Sequence, residues 1–497
     1  MRYIPRTEHP RPDFQRERWL NLNGNWQFET DPDNTGMSNG WQLGRRSFPG
    51  EIAVPFPWES ALSGVHRPDY QGAAWYQRRF IVPEDWRGRR VFLKFGAVDW
   101  EARVWVNGAF LGVHRGGYSP FEFDITDHLR PGENTLVVRA FDDTHPDYPS
   151  GKQTGWYTHT SGIWQTVYLE ATGDARVTRL HVTPDVANER AFVDVCISGK
   201  ADEYALELLF LQRNLPELRR MVVHNGAETH VRIAVPIPDP DLWSPEHPAL
   251  YELTATLLRD EVLVDSVQSY FGMRSISRAR YGDNPYEYIF LNGKPIYLIG
   301  ALHQSFHPDG IYTYPSDSVL RSDIERAKNE YGFNFLRIHI KVDEPRLYYW
   351  ADKLGMLIMY DLPNYTHDNE RSRAFWEETF REAVNRDYNH PSIFSWVLFN
   401  ETWGIGHDGY TPETQAWVEQ MFALAKELDT SRLVEDNSPC RYDHVATDIN
   451  SWHFYIDDVE GARKHIEEVV AKTYPGSTFN YTGGRVQGVE PLINSEF

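Results

Sequence analysis

Residues 393–401 read IFSWVLFNE, an almost unbroken apolar run that ends on Asn400 and Glu401. From about residue 281 to the end, short runs of this kind alternate with helical patterns, which argues for βα units on a parallel sheet. The runs fall at 296–300, 335–340, 356–361, 393–400, 432–436, 448–455 and 491–496. Between them, Leu347, Trp350, Ala351 and Leu354 follow helical spacing and Gly355 stands where a helix would end. Leu320, Ile324 and Ala327 before Gly332 make a second such stripe, and Trp417, Met421, Leu424 and Leu428 a third. This is the pattern of a TIM (β/α)8 barrel, whose catalytic residues sit at the C-terminal ends of its strands. On this count Glu401 ends strand four and Glu496 ends strand seven, and the barrel is expected to be truncated after strand seven.

Upstream, the chain reads as two β-sandwiches. In RVWVNGAFLGVH, residues 103–114, Val104 and Val106 share a face and Asn107-Gly108 supplies the positive-φ pair of a tight hairpin. A second β-rich block starts after residue 172, with strands at 177–183, 192–197 and 251–258, and its length suits an immunoglobulin-like sandwich. The expected domains are 1–172, 173–280 and 281–497. At 497 residues the chain exceeds what one core serves, so three domains accord with its length.

A formal charge of −21 repels phosphate backbones and anionic lipids, so nucleic acid is not an expected partner. No run of about 18 apolar residues marks a membrane span, and the N-terminus MRYIPRTEHPRPDF lacks the apolar core of a signal peptide. Cys196 and Cys440, placed in different domains, argue against a disulfide framework and fit a cytoplasmic location. The 17 tryptophans suit stacking against sugar rings, although packing a core is their commoner use.

Retaining glycosidases need two carboxyl groups roughly 5–5.5 Å apart, and strands four and seven face each other across a barrel. Among 71 acidic residues any single glutamate is expected at the surface, yet Glu401 and Glu496 both stand at strand exits. The acid of such a pair is expected to have a raised pKa while the nucleophile stays ionised.

The segment NHPSIFSWVLFNE, residues 389–401, closely resembles the acid/base signature of glycoside hydrolase family 2, which contains β-galactosidases, β-glucuronidases and β-mannosidases. INSEF at the end of the chain resembles the segment around that family's nucleophile. LNLNGNWQF from Leu20, SGIWQTVYLE from Ser161, FLNGKPIYLIGALHQ from Phe290 and FNFLRIHIKVDEPRLYYWADKLG from Phe333 extend the resemblance over essentially the whole chain.

The resemblance implies a jelly-roll sugar-binding-like domain, an immunoglobulin-like domain and a catalytic barrel. It makes Glu401 the acid/base and Glu496 the nucleophile of a retaining, exo-acting enzyme on terminal β-sugars, a galactoside or glucuronide being expected. It assigns Asn400 to the sugar 2-hydroxyl, Arg337 to bracing the nucleophile, and Trp452, His453 and Tyr455 to the sugar subsite. Asp361 and Asn364 stand where members place polar substrate contacts, and His303 stands where many relatives carry Arg.

The segment DLPNYTH, residues 361–367, lacks the Glu with which some relatives bind a divalent cation, so no metal and no other cofactor is expected. Members continue past the nucleophile through the eighth strand. The expectation is therefore a missing segment or, failing that, a homo-oligomer that covers the open edge. The rival reading is a non-catalytic carbohydrate-binding protein or an inactive truncated homologue.

Overall fold

The computed structural model describes residues 4–497 except 154, 212–214, 216, 407–409 and 440. Cys440 thus lies outside the described residues, while Cys196 is a buried free thiol. No described helix is long and apolar enough to cross a membrane.

The first sandwich packs a four-stranded sheet against a six-stranded one. The predicted hairpin joins Glu101–Val106 to Ala109–Arg115, with Asn107 and Gly108 at φ +53° and +83°. The second sandwich has three strands facing four around a core that includes Val193, Val195, Leu206 and Ala255. Arg16 ties the two together: fully buried, it bonds Glu170 of the first sandwich at 2.7 Å and Asp265 of the second at 2.9 Å.

Glu59, Asp99 and Asp142 are among the carboxyl groups that the first sandwich buries. Burial raises the pKa of each; for Glu59 the nearby Asp142 raises it further, while bonds from Ser161 only partly offset the shift. A folded-state pKa above the unfolded value means that the fold holds a proton the unfolded chain gives up. Stability should therefore decline as pH rises from the unfolded carboxylate range, about 4.3, towards the folded pKa. Glu59→Gln keeps an acceptor for the Ser161 N–H, 3.1 Å away, and removes the charge. Its melting temperature should gain on wild type steadily between about pH 4 and pH 8; a pH-independent difference would refute the proton linkage.

The barrel strands are β1 Gly300–His303, β2 Phe335–Ile338, β3 Leu357–Asp361, β4 Ile393–Asn400, β5 Leu433–Ser438, β6 Asn450–His453 and β7 Leu492–Glu496. The helices are α1 Asp317–Asn329, α2 Pro345–Leu354, α3 Glu370–Asp387, α4 Pro412–Leu428 and α5 Val459–Lys472. Strands β1 to β5 form one parallel sheet in sequence order, and β6 pairs in parallel with β7.

Period-two alternation divides the strand side chains between two cores. Leu336, Ile338, Ile358, Tyr360, Leu398 and Val434 pack outward with Leu320, Ile324, Leu347 and Ala351 of the helices. Phe335, Leu357, Met359 and Leu433 pack inward. Two positions on, the inward rows become polar, at Arg337 after Phe335, Asp361 after Met359 and Glu435 after Leu433. Each of these is fully buried at the end of the barrel that holds Glu401 and Glu496.

The structure corrects the first strand. Residues 296–300 were expected to form it, but Lys294–Pro295 folds back on Phe290–Leu291 in a hairpin, and β1 begins only at Gly300. Local hairpin pairing takes the chain first, leaving Tyr297 and Ile299 exposed. Among the described residues the barrel has seven strands, and a groove of about 840 Å³ lined by Leu298, Phe335, Ile493 and Phe497 lies beside β1 and β7.

Candidate active site

Glu401 leaves β4 through a strained turn. Its φ is +53° and that of Thr402 is +60°, a region that disfavours residues with a Cβ. The turn is held by bonds from the Glu401 N–H to the Ser438 carbonyl at 2.9 Å, from the Thr402 N–H to Asn437 at 3.0 Å, and from the Thr402 hydroxyl to Asp443 at 2.6 Å. Asn364 donates to the carbonyls of Asn400 and Trp403 at 3.2 and 2.9 Å, so it braces this turn. These bonds aim the Glu401 carboxylate across the barrel mouth at Glu496, the last residue of β7.

The donor atoms of Glu401, Glu496 and His453 lie within 4.8 Å of one another. Tyr455 bridges the two carboxylates, its hydroxyl 3.0 Å from Glu401 and 2.6 Å from Glu496. Strand alternation explains the neighbours: His453 and Tyr455 face the pair, whereas Trp452 and Phe454 turn away into a small core with Val469. Trp452 is thus removed from the pocket that the resemblance assigned it to.

Arg337 is the centre beneath the pair. Wholly buried, its guanidinium bonds Asp361 at 3.0 and 2.8 Å, Asn400 at 2.7 Å and Glu496 at 3.2 Å. It also lies 3.0 Å from His453 Nε2. Because a guanidinium only donates, Nε2 must accept, so the proton of a neutral His453 sits on Nδ1 and points at Glu401, 3.1 Å away. Burial depresses the pKa of this imidazole and so favours that neutral form.

Asp361 serves Arg337 and, at 3.3 Å, His339, and is fully buried. His303 lies apart. Its Nε2 is 4.0 Å from Asp323 of α1, and no described hydrogen bond joins it to either glutamate.

The electrostatics reverse one expectation. Burial pushes the Glu496 pKa up, but Arg337 and then His453 draw it below the usual carboxylate range. Glu401, expected to be raised, is instead held well below that range: burial opposes ionisation, but bonds from His453 and Lys152 outweigh it. Lys152 Nζ stands 2.8 Å from Glu401.

Sequence reasoning missed this lysine because it comes from the first sandwich, 249 residues away in the chain. Tyr157 of the same loop stacks on Phe306 at 4.7 Å; burial, then the charges of Glu496, Asp361 and Glu401, raise its pKa and keep its hydroxyl protonated. Among the described residues the trio Glu401, His453 and Glu496 is also a donor set that could hold an ion, but Lys152 and Arg337 already bring positive charge to its two carboxylates.

Sequence models of glycosyl hydrolases family 2 match three successive stretches: the sugar binding domain over 19–172, the family 2 domain over 175–274 and the TIM barrel domain over 286–497. The chain belongs to glycosyl hydrolases family 2. Within family 2 it is 28% identical over 429 residues to a β-galactosidase of Thermoanaerobacter pseudethanolicus, covering 83% of this chain and 56% of that protein. It is also 28% identical over 439 residues to a β-glucuronidase of Bacteroides fragilis, covering 83% and 59%. The chain therefore spans little more than half the length of these relatives. A family 2 β-galacturonidase from Eisenbergiella tayi shares the fold at a TM-score of 0.78 and 22% identity, over 99% of this chain and 82% of that one.

Proposed function

We propose that this protein hydrolyses terminal β-linked sugars, galactosides or glucuronides, with retention of configuration. The carrying observation is the spacing of the two glutamates, whose nearest oxygens lie within 4.8 Å. A retaining pair stands about 5–5.5 Å apart, whereas an inverting pair needs about 6.5–9.5 Å to admit a water.

In this reading Glu496, ionised and braced by Arg337, attacks the anomeric carbon while Glu401 gives a proton to the departing oxygen. The glycosyl-enzyme ester then yields to a water from which Glu401 takes a proton, which regenerates both groups. Asn400, fixed by Arg337 at 2.7 Å, is placed to bond the 2-hydroxyl. The sandwich loop carrying Lys152 and Tyr157 walls one side of the mouth, which suits a terminal sugar.

A panel of phenyl β-glycosides (galactoside, glucuronide, mannoside, glucoside, glucosaminide) tests the activity, and proton NMR of the first-formed product tests the stereochemistry. The β-anomer is expected first. An α-anomer first would refute retention, and calorimetric sugar binding without turnover of any member would favour the carbohydrate-binding rival.

A further inference from the structure

A general acid must carry a proton when the leaving oxygen departs, yet the ammonium of Lys152 sits 2.8 Å from Glu401 and helps to keep it ionised. Both side chains are nearly out of water, about a tenth exposed. Pulling the ammonium away with nothing to receive it would strand an uncompensated charge. The enzyme as it stands therefore holds its acid in the wrong protonation state for an unactivated leaving group.

The backbone that carries Lys152 is pinned on both sides. Gly151 donates its N–H to the Asn364 carbonyl at 2.9 Å, in the loop that braces the Glu401 turn. Its φ is +64°, and a Cβ there would lie 2.7 Å from the Ile340 carbonyl, so the approach of the two domains requires glycine. Gln153 donates to the Tyr118 hydroxyl at 3.3 Å and accepts from the Thr160 N–H at 2.7 Å. What can move is the four-carbon stem of Lys152, the most flexible way to carry a charge from one partner to another.

We propose that Lys152 is a specificity-determining residue that exchanges Glu401 for a carboxylate of the substrate, so that binding an anionic substrate is what frees the general acid to take up its proton. This rests on the glycosidase reading above and adds to it the charge of the substrate. The pocket presents the carboxylates of Glu401 and Glu496, Asp361 and Glu435 are buried at the same end of the barrel, and Arg337 is already bonded to Asp361, Glu496 and Asn400. An entering carboxylate needs a cation that can leave its present partner, and Lys152 meets that need. A neutral sugar offers the ammonium no new partner, so Glu401 stays ionised and unactivated aglycones leave slowly. Where the carboxylate departs with the aglycone, the ammonium is free to return to Glu401 once that residue has given up its proton.

The carboxylate can belong to the sugar or to the aglycone, and matched substrates separate the two. Phenyl β-glucuronide and β-galacturonide carry it on the sugar, 4-carboxyphenyl β-galactoside carries it on the aglycone, and phenyl β-galactoside and β-glucoside carry none. Wild type should prefer one charged series. Lys152→Met should lower the charged-to-neutral ratio of kcat/KM in that series by roughly 10- to 100-fold, the loss of one charge-assisted hydrogen bond, and Lys152→Arg should restore most of it.

Calorimetry with glucuronate, galacturonate, 4-carboxyphenyl β-galactoside and galactose reads the same preference without turnover. A failure of the glycosidase reading would therefore leave this arm decisive. A ratio unchanged in Lys152→Met overturns the proposal, as does wild-type protein that favours neither charged series by rate or by affinity.

Discussion

Glu496→Gln is expected to lower kcat/KM on every aryl β-glycoside that the wild type accepts by about 10⁴-fold or more, the scale of losing an attacking group. An amide cannot form the glycosyl ester, so the loss should not depend on the leaving group. Glu401→Gln should behave differently. On phenyl glycosides, whose oxygen needs a proton, the deficit should be about 10²- to 10⁴-fold. On 2,4-dinitrophenyl glycosides the first step needs no acid and should survive, but hydrolysis of the ester lacks its base. Rapid mixing should then show a burst of dinitrophenol followed by slow turnover. Equal losses of Glu401→Gln on both aglycones, or a burst from Glu496→Gln, would exchange or abolish the two roles. Because glutamine matches glutamate in size and keeps an oxygen that accepts hydrogen bonds, the amide substitutions should leave the fold intact, and a melting curve for each variant checks that they do.

Much of this architecture is legible in the sequence because the barrel strands announce themselves by burial. Strand β4 is apolar at nearly every position because both its faces are covered, and all eight of its residues are buried. The stripes of α1, α2 and α4 are visible for the complementary reason, since each packs one face on the sheet. Helix α3 escaped, as its capping box joins Asn369 to Ser372 rather than to a glutamate or glutamine.

The first strand was misplaced because 296–300 is as apolar as a strand should be, and nothing in those residues tells that 294–295 is already paired backwards. Polar residues at strand ends mark the site, but their partners do not show. The alternation that puts His453 and Tyr455 inward also turns Trp452 outward, whereas the family resemblance assigns all three to the sugar subsite. Lys152 carries no sequence signal at all. Its effect on Glu401 exists only because two domains meet, and with the bond from His453 this contact overturns the expected protonation state.

Arg337 should give the second large effect, and one that separates electrostatics from packing. It is wholly buried and bonded to Asp361, Asn400 and Glu496, so Arg337→Met leaves two carboxylates without their shared cation. Removing one partner of such a buried network costs about 3–5 kcal/mol, which if expressed in the transition state is roughly 10²- to 10⁴-fold in kcat/KM. Arg337→Lys should recover little, because a single ammonium cannot span the three acceptors that the planar fork reaches.

The pH profile carries the mechanism. In the wild type burial favours the neutral Glu496, and Arg337 is the first of the charges that reverse this. Without Arg337 the burial is less opposed and the carboxyl pKa rises. A nucleophile must be ionised, so activity is lost as pH falls through that pKa, and the acid limb of kcat/KM should move to higher pH in Arg337→Met. If the rate falls but the acid limb stays where the wild type has it, Arg337 acts by holding Asn400 and Asp361 in place rather than by setting the charge of Glu496.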